Sequence, residues 1–242
     1  MTARPVLFSA PMILALLAGR KTQTRRLAWR DACFCGDDPV PAGHKPETTK
    51  IGSTPIPMHR PPSAWQKVKL GDLLWVKETF VLENTYEYHS HHDAPTDGRP
   101  ILARNDGEGS NYALIPHYRA TEPEPHIVPD GLEDEFDDRT RWVSSLFMPR
   151  TVSRLTCEVT AVRRELLQSI TKEDVIAEGI TEREGLPIAD AVCGWHEPYA
   201  ALWDGLHDRA GERWDNNPEV VVISFRCFKV NVDALLKQRE AA

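Results

Sequence analysis

The chain has 242 residues, of which 41% are hydrophobic, and a formal net charge of −7. That length and apolar content exclude a disordered chain, and no run reaches the roughly 20 apolar residues of a membrane span. Five cysteines, an odd number, argue against a secreted disulfide framework. Pro5 and Pro11 interrupt the apolar N-terminal run and no small-residue cleavage site follows it, so the sequence predicts a cytoplasmic protein.

PVLFS (5–9) reads as a short strand. The helix APMILALLAG follows, with Pro11 in its first turn and Gly19 at the expected C-terminal cap. Met12, Ile13, Leu16 and Leu17 give it one apolar face, and it ends just before RKTQTRR. Residues 36–64 hold seven prolines without periodicity and read as an irregular insertion. LLWVKETFVL (73–82) is a strand after the turn at Gly71 and Asp72. From about 83 to 140 the chain is again irregular, with short strands at ILAR and ALIPHYRA.

TVSRLTCEVTAVRREL returns to strand character, and the imperfect alternation of Val152, Leu155, Cys157 and Val159 suggests a bulge. Thr171 starts a helix, with Asp174 three residues on as an imperfect capping box, and Gly179 ends it after Glu178. A second amphipathic helix covers 197–211, with Tyr199, Leu202, Trp203 and Leu206 on one side, and VVVISFRCFKV (220–230) is the closing strand. Together these elements predict an α+β fold, a small mixed β-barrel with flanking helices. It forms a single domain over 1–242, with two long loop-rich insertions at about 31–69 and 83–147.

Charge is segregated along this chain. Arg4, Arg20, Lys21, Arg25, Arg26 and Arg30 precede the first acid, Asp31, whereas DGLEDEFDD (130–138) holds six acids and no base. A local anion-binding surface is therefore compatible with an acidic protein.

The helix with GRKTQTRR, the strand GDLLWVKETF, SRLTCEVTAV, the helix ITKEDVIAEGI and the closing VVVISF resemble the ASCH domain superfamily, a PUA-like β-barrel fold associated with RNA and nucleoside chemistry. The YRA (118–120) and MPR (148–150) segments are similar to those of its longer phage- or prophage-borne members. Compact members of the superfamily include amidohydrolases that remove the acetyl group from N(4)-acetylcytidine. The resemblance implies catalytic roles for Lys21, Thr24 and Glu178, although a shift of one helical turn selects Asp174 in place of Glu178. The two insertions depart from the compact pattern.

These residue types suit acyl transfer, which needs a nucleophile, a base and stabilisation of the oxyanion. The Thr24 hydroxyl becomes nucleophilic once a base takes its proton. Burial and the neighbouring Arg20, Arg25 and Arg26 would favour Lys21 as that base, with Glu178 orienting it or relaying a proton. Lys21 and Thr24, three apart, share a face if the helical turn continues. Arg20, Arg25 and Arg26 are expected to hold phosphate or the oxyanion, and Trp75, Glu78 and Trp142 to contact the substrate. This chemistry needs no metal or cofactor.

The expected partner is a modified cytosine nucleoside or nucleotide, or a single-stranded nucleic acid. Two rival readings use the same basic pocket: an RNA- or DNA-binding module in which no bond is broken, and a ribonuclease. Cys33, Cys35, Cys193 and His196 form a conceivable zinc set without the usual finger spacing, and His89, His91 and His92 read as a solvated loop.

Overall fold

The computed structural model describes all residues except 35–39, 52–53, 86–98, 101, 106–110, 125–140, 184–185, 188–193 and 242. Cys35, Cys193, His89, His91, His92 and the acidic run 130–138 lie outside the described residues. The fold is mixed α and β. Five strands form one mixed sheet in the order β1 (Ala3–Leu7), β6 (Leu73–Lys77), β10 (Thr156–Leu166), β13 (Glu219–Phe228) and β2 (Gln23–Leu27). That order leaves β1 and β2 as edges, so among the described residues the expected barrel is not closed. No helix among them is long and apolar enough to cross a membrane.

Contacts divide the chain into two compact units. One comprises Met1–Arg20, Gly71–Val159 and Phe225–Ala242; the other comprises Lys21–Leu70 and Thr160–Ser224.

In the first unit β1 runs parallel to β6, with Val6 opposite Val76, and the start of β10 runs antiparallel to β6. The expected single strand over 73–82 is two strands, because β7 (Phe80–Thr85) leaves β6 to pair with β9 (Asn111–Tyr118). β8 (Leu102–Asn105) pairs with the other side of β9, so ILAR and ALIPHYRA do supply strands. Phe80, Tyr118, Met148 and Val152 form the core beneath this second sheet. Val152 belongs to a 3-10 turn and β10 begins only at Thr156. The broken alternation therefore marks a helical turn before the strand.

α1 (Ala10–Leu17) buries Ile13, Ala15 and Leu16. α4 (Val232–Glu240), which the sequence pattern did not reveal, is capped by Asn231 and lays Val232 and Leu235 on Leu73 and Trp75.

In the second unit, β2 pairs antiparallel with β13, so the basic stretch after the first helix, where a continued helical turn was considered, enters a strand. Part of the first insertion is also ordered sheet. β4 (Lys45–Ile51) pairs with β5 (Thr54–Arg60), and β3 (Cys33–Phe34) adds to the far side of β5. Pro55 and Pro57 have equal parity, so both can turn the side lacking a donor away from β4. There β3, which spans only His59 and Met58, does not reach. α2 (Lys172–Ala177) and α3 (Glu197–Leu206) cover one sheet face, where Val175, Tyr199 and Trp203 pack with Leu167, Ile170, Val220 and Val222. α3 stops at Leu206, five residues short of the expected end, and His207 is extended. Two short strands, β11 (Glu182–Arg183) and β12 (Leu186–Pro187), form a separate antiparallel pair.

Candidate active site

Lys21 opens the second unit directly after the Schellman motif that ends α1. There Gly19, at φ +71°, donates to the Leu16 carbonyl at 3.0 Å, and Arg20 donates to Ala15 at 2.9 Å. α2 begins with a complete capping box between Thr171 and Asp174. It ends in a second Schellman motif, in which Gly179 at φ +92° donates to Ile176 and Ile180 donates to Val175. This turn presents Glu178 to the N-terminal segment. The backbone N–H of Thr22 donates to the Ala177 carbonyl at 2.8 Å. Next to it, Lys21 Nζ donates to Glu178 Oε2 at 2.7 Å and to the Glu178 carbonyl at 2.9 Å. Both residues are buried, at 2% and 4% exposure.

The helical continuation that would put Lys21 and Thr24 on one face does not occur, because residues Gln23–Leu27 are extended. The register sets Gln23, Arg25 and Leu27 opposite Ser224, Val222 and Val220, on the face covered by α2 and α3. By strand alternation Thr24 and Arg26 lie on the other face, opposite Ile223 and Val221. Thr24 is 2% exposed.

Arg25 was expected to grip phosphate. Its side chain is instead fully buried and engaged by three carboxylates: Glu165 at 2.8 Å, Asp174 at 2.7 Å and Glu178 at 3.4 Å. Both terminal nitrogens of the guanidinium are thus taken up by carboxylates of the protein. Arg163 joins the same network through Glu165 at 2.7 Å and Asp174 at 3.0 Å, and Gln23 donates to Asp174 at 3.0 Å. Lys21, Arg25 and Arg163 thus balance Glu165, Asp174 and Glu178. Such balance is what allows several charges to leave water.

Burial alone would raise the Asp174 pKa, but Gln23, Arg25 and the Thr171 N–H hold it below the ordinary aspartate value. Arg163 is raised, chiefly by Glu165. Burial pushes the Tyr199 phenol well above its ordinary range, and the charge of Glu178 adds to the shift, so the phenol stays neutral beside the network. Arg26 is lowered by burial, against the pull of Glu178 and Tyr199, and its guanidinium lies 5.5 Å from the Trp65 ring centre.

Lys21, Thr24, Glu178, Arg25 and Arg26 all belong to the second unit, where Lys21 and Arg25 contact Glu178 while Thr24 and Arg26 lie on the other face of β2. The other expected site residues fall in the first. Arg20 is exposed after α1, and Trp142 is half-buried. Trp75 is a core residue packed with Leu73, Val232 and Leu235 rather than an open stacking surface. Glu78 forms a buried two-point ion pair with Arg154, both contacts at 2.9 Å, and Arg154 lies 3.9 Å from the Tyr118 ring centre. Burial raises the Glu78 pKa despite that partner.

Gln23, Arg163, Glu165 and Tyr199 were not anticipated as site residues. The capping position of Asp174, which binds Gln23 and Arg163, was the sequence signal that led toward them. Of the conceivable zinc set, Cys33 is exposed and its thiol points to the Asp31 carbonyl at 3.7 Å, while His196 stacks on Trp214. Among the described residues no three His, Cys, Asp or Glu side chains are grouped to hold a metal ion. Comparison with protein-family models, with curated proteins and with solved structures finds no match to this chain.

Proposed function

We propose that the second unit carries a metal-independent amidohydrolase site of the ASCH, PUA-like type, which deacylates N(4)-acylated cytosine nucleosides or nucleotides. The observation that supports this reading best is the buried contact of Lys21 Nζ with Glu178 Oε2 at 2.7 Å, three residues before the buried hydroxyl of Thr24. An amine and a carboxylate at that distance exchange a proton directly. In this reading a Lys21 amine that has passed its proton to Glu178 accepts the Thr24 hydroxyl proton as the oxygen attacks the acyl carbon. This requires the Thr24 side chain to reach round from the opposite face of β2. The tetrahedral intermediate collapses, the bond from the acyl carbon to N4 breaks, and the returning proton leaves with the cytosine amine. Water then hydrolyses the threonine ester and releases the carboxylic acid.

A second reading, a nucleic-acid-binding module without bond cleavage, draws on a different observation. Arg26 lies over Trp65, a pairing of cation and flat ring that suits a base and a phosphate.

The test incubates wild type, Lys21→Ala and Thr24→Ala with N(4)-acetylcytidine and its phosphates and follows the absorbance change on release of cytidine. Activity in wild type that both substitutions abolish supports the hydrolase. No release by wild type from any of these substrates overturns it.

A further inference from the structure

The second unit holds a cavity of about 610 Å³ whose wall includes Arg26, Trp29, Arg30, Ser63, Trp65 and His207. Its volume is in the range of sites for small organic ligands. Arg26 connects this cavity to the proposed nucleophile, because it follows Thr24 by two positions on the same face of β2. That is about 7 Å along an extended strand.

The wall offers flat rings and positive charge together. The Trp29 indole is fixed by its N–H, which donates to Glu219 at 2.7 Å. His207 is fixed by stacking on Trp203 at 3.9 Å between centroids, and its Nδ1 donates to the Trp203 carbonyl at 3.0 Å. Since a carbonyl can only accept, neutral His207 keeps Nε2 as an acceptor. Three guanidinium groups, on Arg26, Arg30 and Arg209, stand against the carboxylates of Asp31 and Glu212, and Asp31 is already paired with Arg209.

Ser63 supplies an independent sign of a ligand. It is 8% exposed, and its buried hydroxyl has no hydrogen-bond partner among the described residues. A buried hydroxyl left this way is costly unless something completes it.

We infer that this cavity is a subsite for a phosphate and an adjoining planar base, so that the substrate is a nucleotide or a short oligonucleotide rather than a free nucleoside. The inference rests on the amidohydrolase reading for its orientation, with the acyl group at Thr24 and the phosphate beyond Arg26. The base lies against Trp29 or Trp65, Arg30 and Arg26 take the phosphate, and the Ser63 hydroxyl donates to a phosphate or sugar oxygen.

Two measurements separate the inference from the reading on which it rests. In the first, cytidine, its 5′- and 3′-monophosphates and a cytidine-containing dinucleotide are titrated against the whole protein, with tryptophan fluorescence and calorimetry as readouts. A phosphorylated ligand should bind about tenfold tighter than cytidine or better, the worth of one charge-assisted phosphate contact. Arg30→Glu, at an exposed position that does not threaten folding, should erase that ratio, as should Trp65→Ala and the gentler Trp65→Leu. Equal affinity for cytidine and every phosphorylated ligand, or a ratio that survives Arg30→Glu and Trp65→Leu, overturns the subsite. The second measurement compares deacylation of N(4)-acetylcytidine with that of its monophosphates. Equal kcat/KM for all of them also overturns the subsite and leaves the hydrolase standing. Discrimination in binding without any deacylation upholds the cavity as a nucleotide site and removes the hydrolase.

Discussion

Lys21 Nζ donates to the carboxylate and to the backbone carbonyl of the same residue, Glu178, at 2.7 and 2.9 Å. The second bond fixes the ammonium to the helix end whatever the carboxylate does. Glu178→Gln should therefore keep Lys21 in place while removing the group that can take its proton. The expected outcome is a fall in kcat of about 10²- to 10⁴-fold with KM changed far less. Steady-state kinetics on N(4)-acetylcytidine or its phosphate checks this, and full activity in the Gln variant would assign Glu178 a purely structural role.

Arg25 has three carboxylates around a side chain that water does not reach. Arg25→Met should destabilise the protein by about 3–5 kcal/mol, because it leaves buried carboxylates uncompensated. Arg25→Lys should recover little of this, since a single ammonium cannot span the positions that the guanidinium fork reaches. Urea unfolding with matched m-values measures both.

Asp174 sets a pH dependence with a definite sign. Its pKa in the folded protein lies below the ordinary value of 3.8, so the unfolded chain binds the proton more tightly. The stability it contributes is present above that value and is lost as pH falls through the depressed folded pKa. Melting temperatures should hold from neutral pH to about 4 and then drop, and Asp174→Asn should lower the plateau and flatten the drop. An acid limb that is equally steep in the Asn variant would show that another carboxylate governs it.

Gly19 turns α1 into the segment that carries Lys21. No heavy atom lies within 4 Å of where a Cβ would stand, so Gly19→Ala tests backbone conformation alone, at φ +71°. The expected loss is about 1–2 kcal/mol, the cost of a left-handed residue with a side chain. Denaturant midpoints give the value. An unchanged midpoint would mean that the turn relaxes without strain.

How much the sequence revealed depended on whether each element carries its own periodicity. The turn residues around α1 and α2 and the run of β13 are local signals, and those elements appear close to their expected places. β2 is different. QTRRL has one apolar residue in five, so its alternation is of charged and polar groups, and Gln23 and Arg25 meet network partners 140 to 153 positions away. No window on the strand itself contains those partners. That is why Arg25 resembled a phosphate grip when it is the centre of a buried ion network. The prolines of β4 and β5 misled in the same direction, because their cost depends on whether a neighbouring strand needs the missing donors. Trp75 shows the converse. α4, the helix that covers it, lacks a long apolar run, so a core tryptophan looked available for stacking.

Asp174 starts α2 as its capping box and also holds Gln23, Arg25 and Arg163. A helix of six residues has too few turns to persist alone. Its lifetime is therefore governed by charges on other segments, and each opening of α2 exposes the whole ion cluster to solvent. The backbone amides at the end of α2, Glu178 among them, should consequently exchange with deuterium faster in high salt than in low salt, whereas those of β13, sealed by aliphatic side chains, should not. The candidate site would then breathe with ionic strength while the sheet beneath it stays closed.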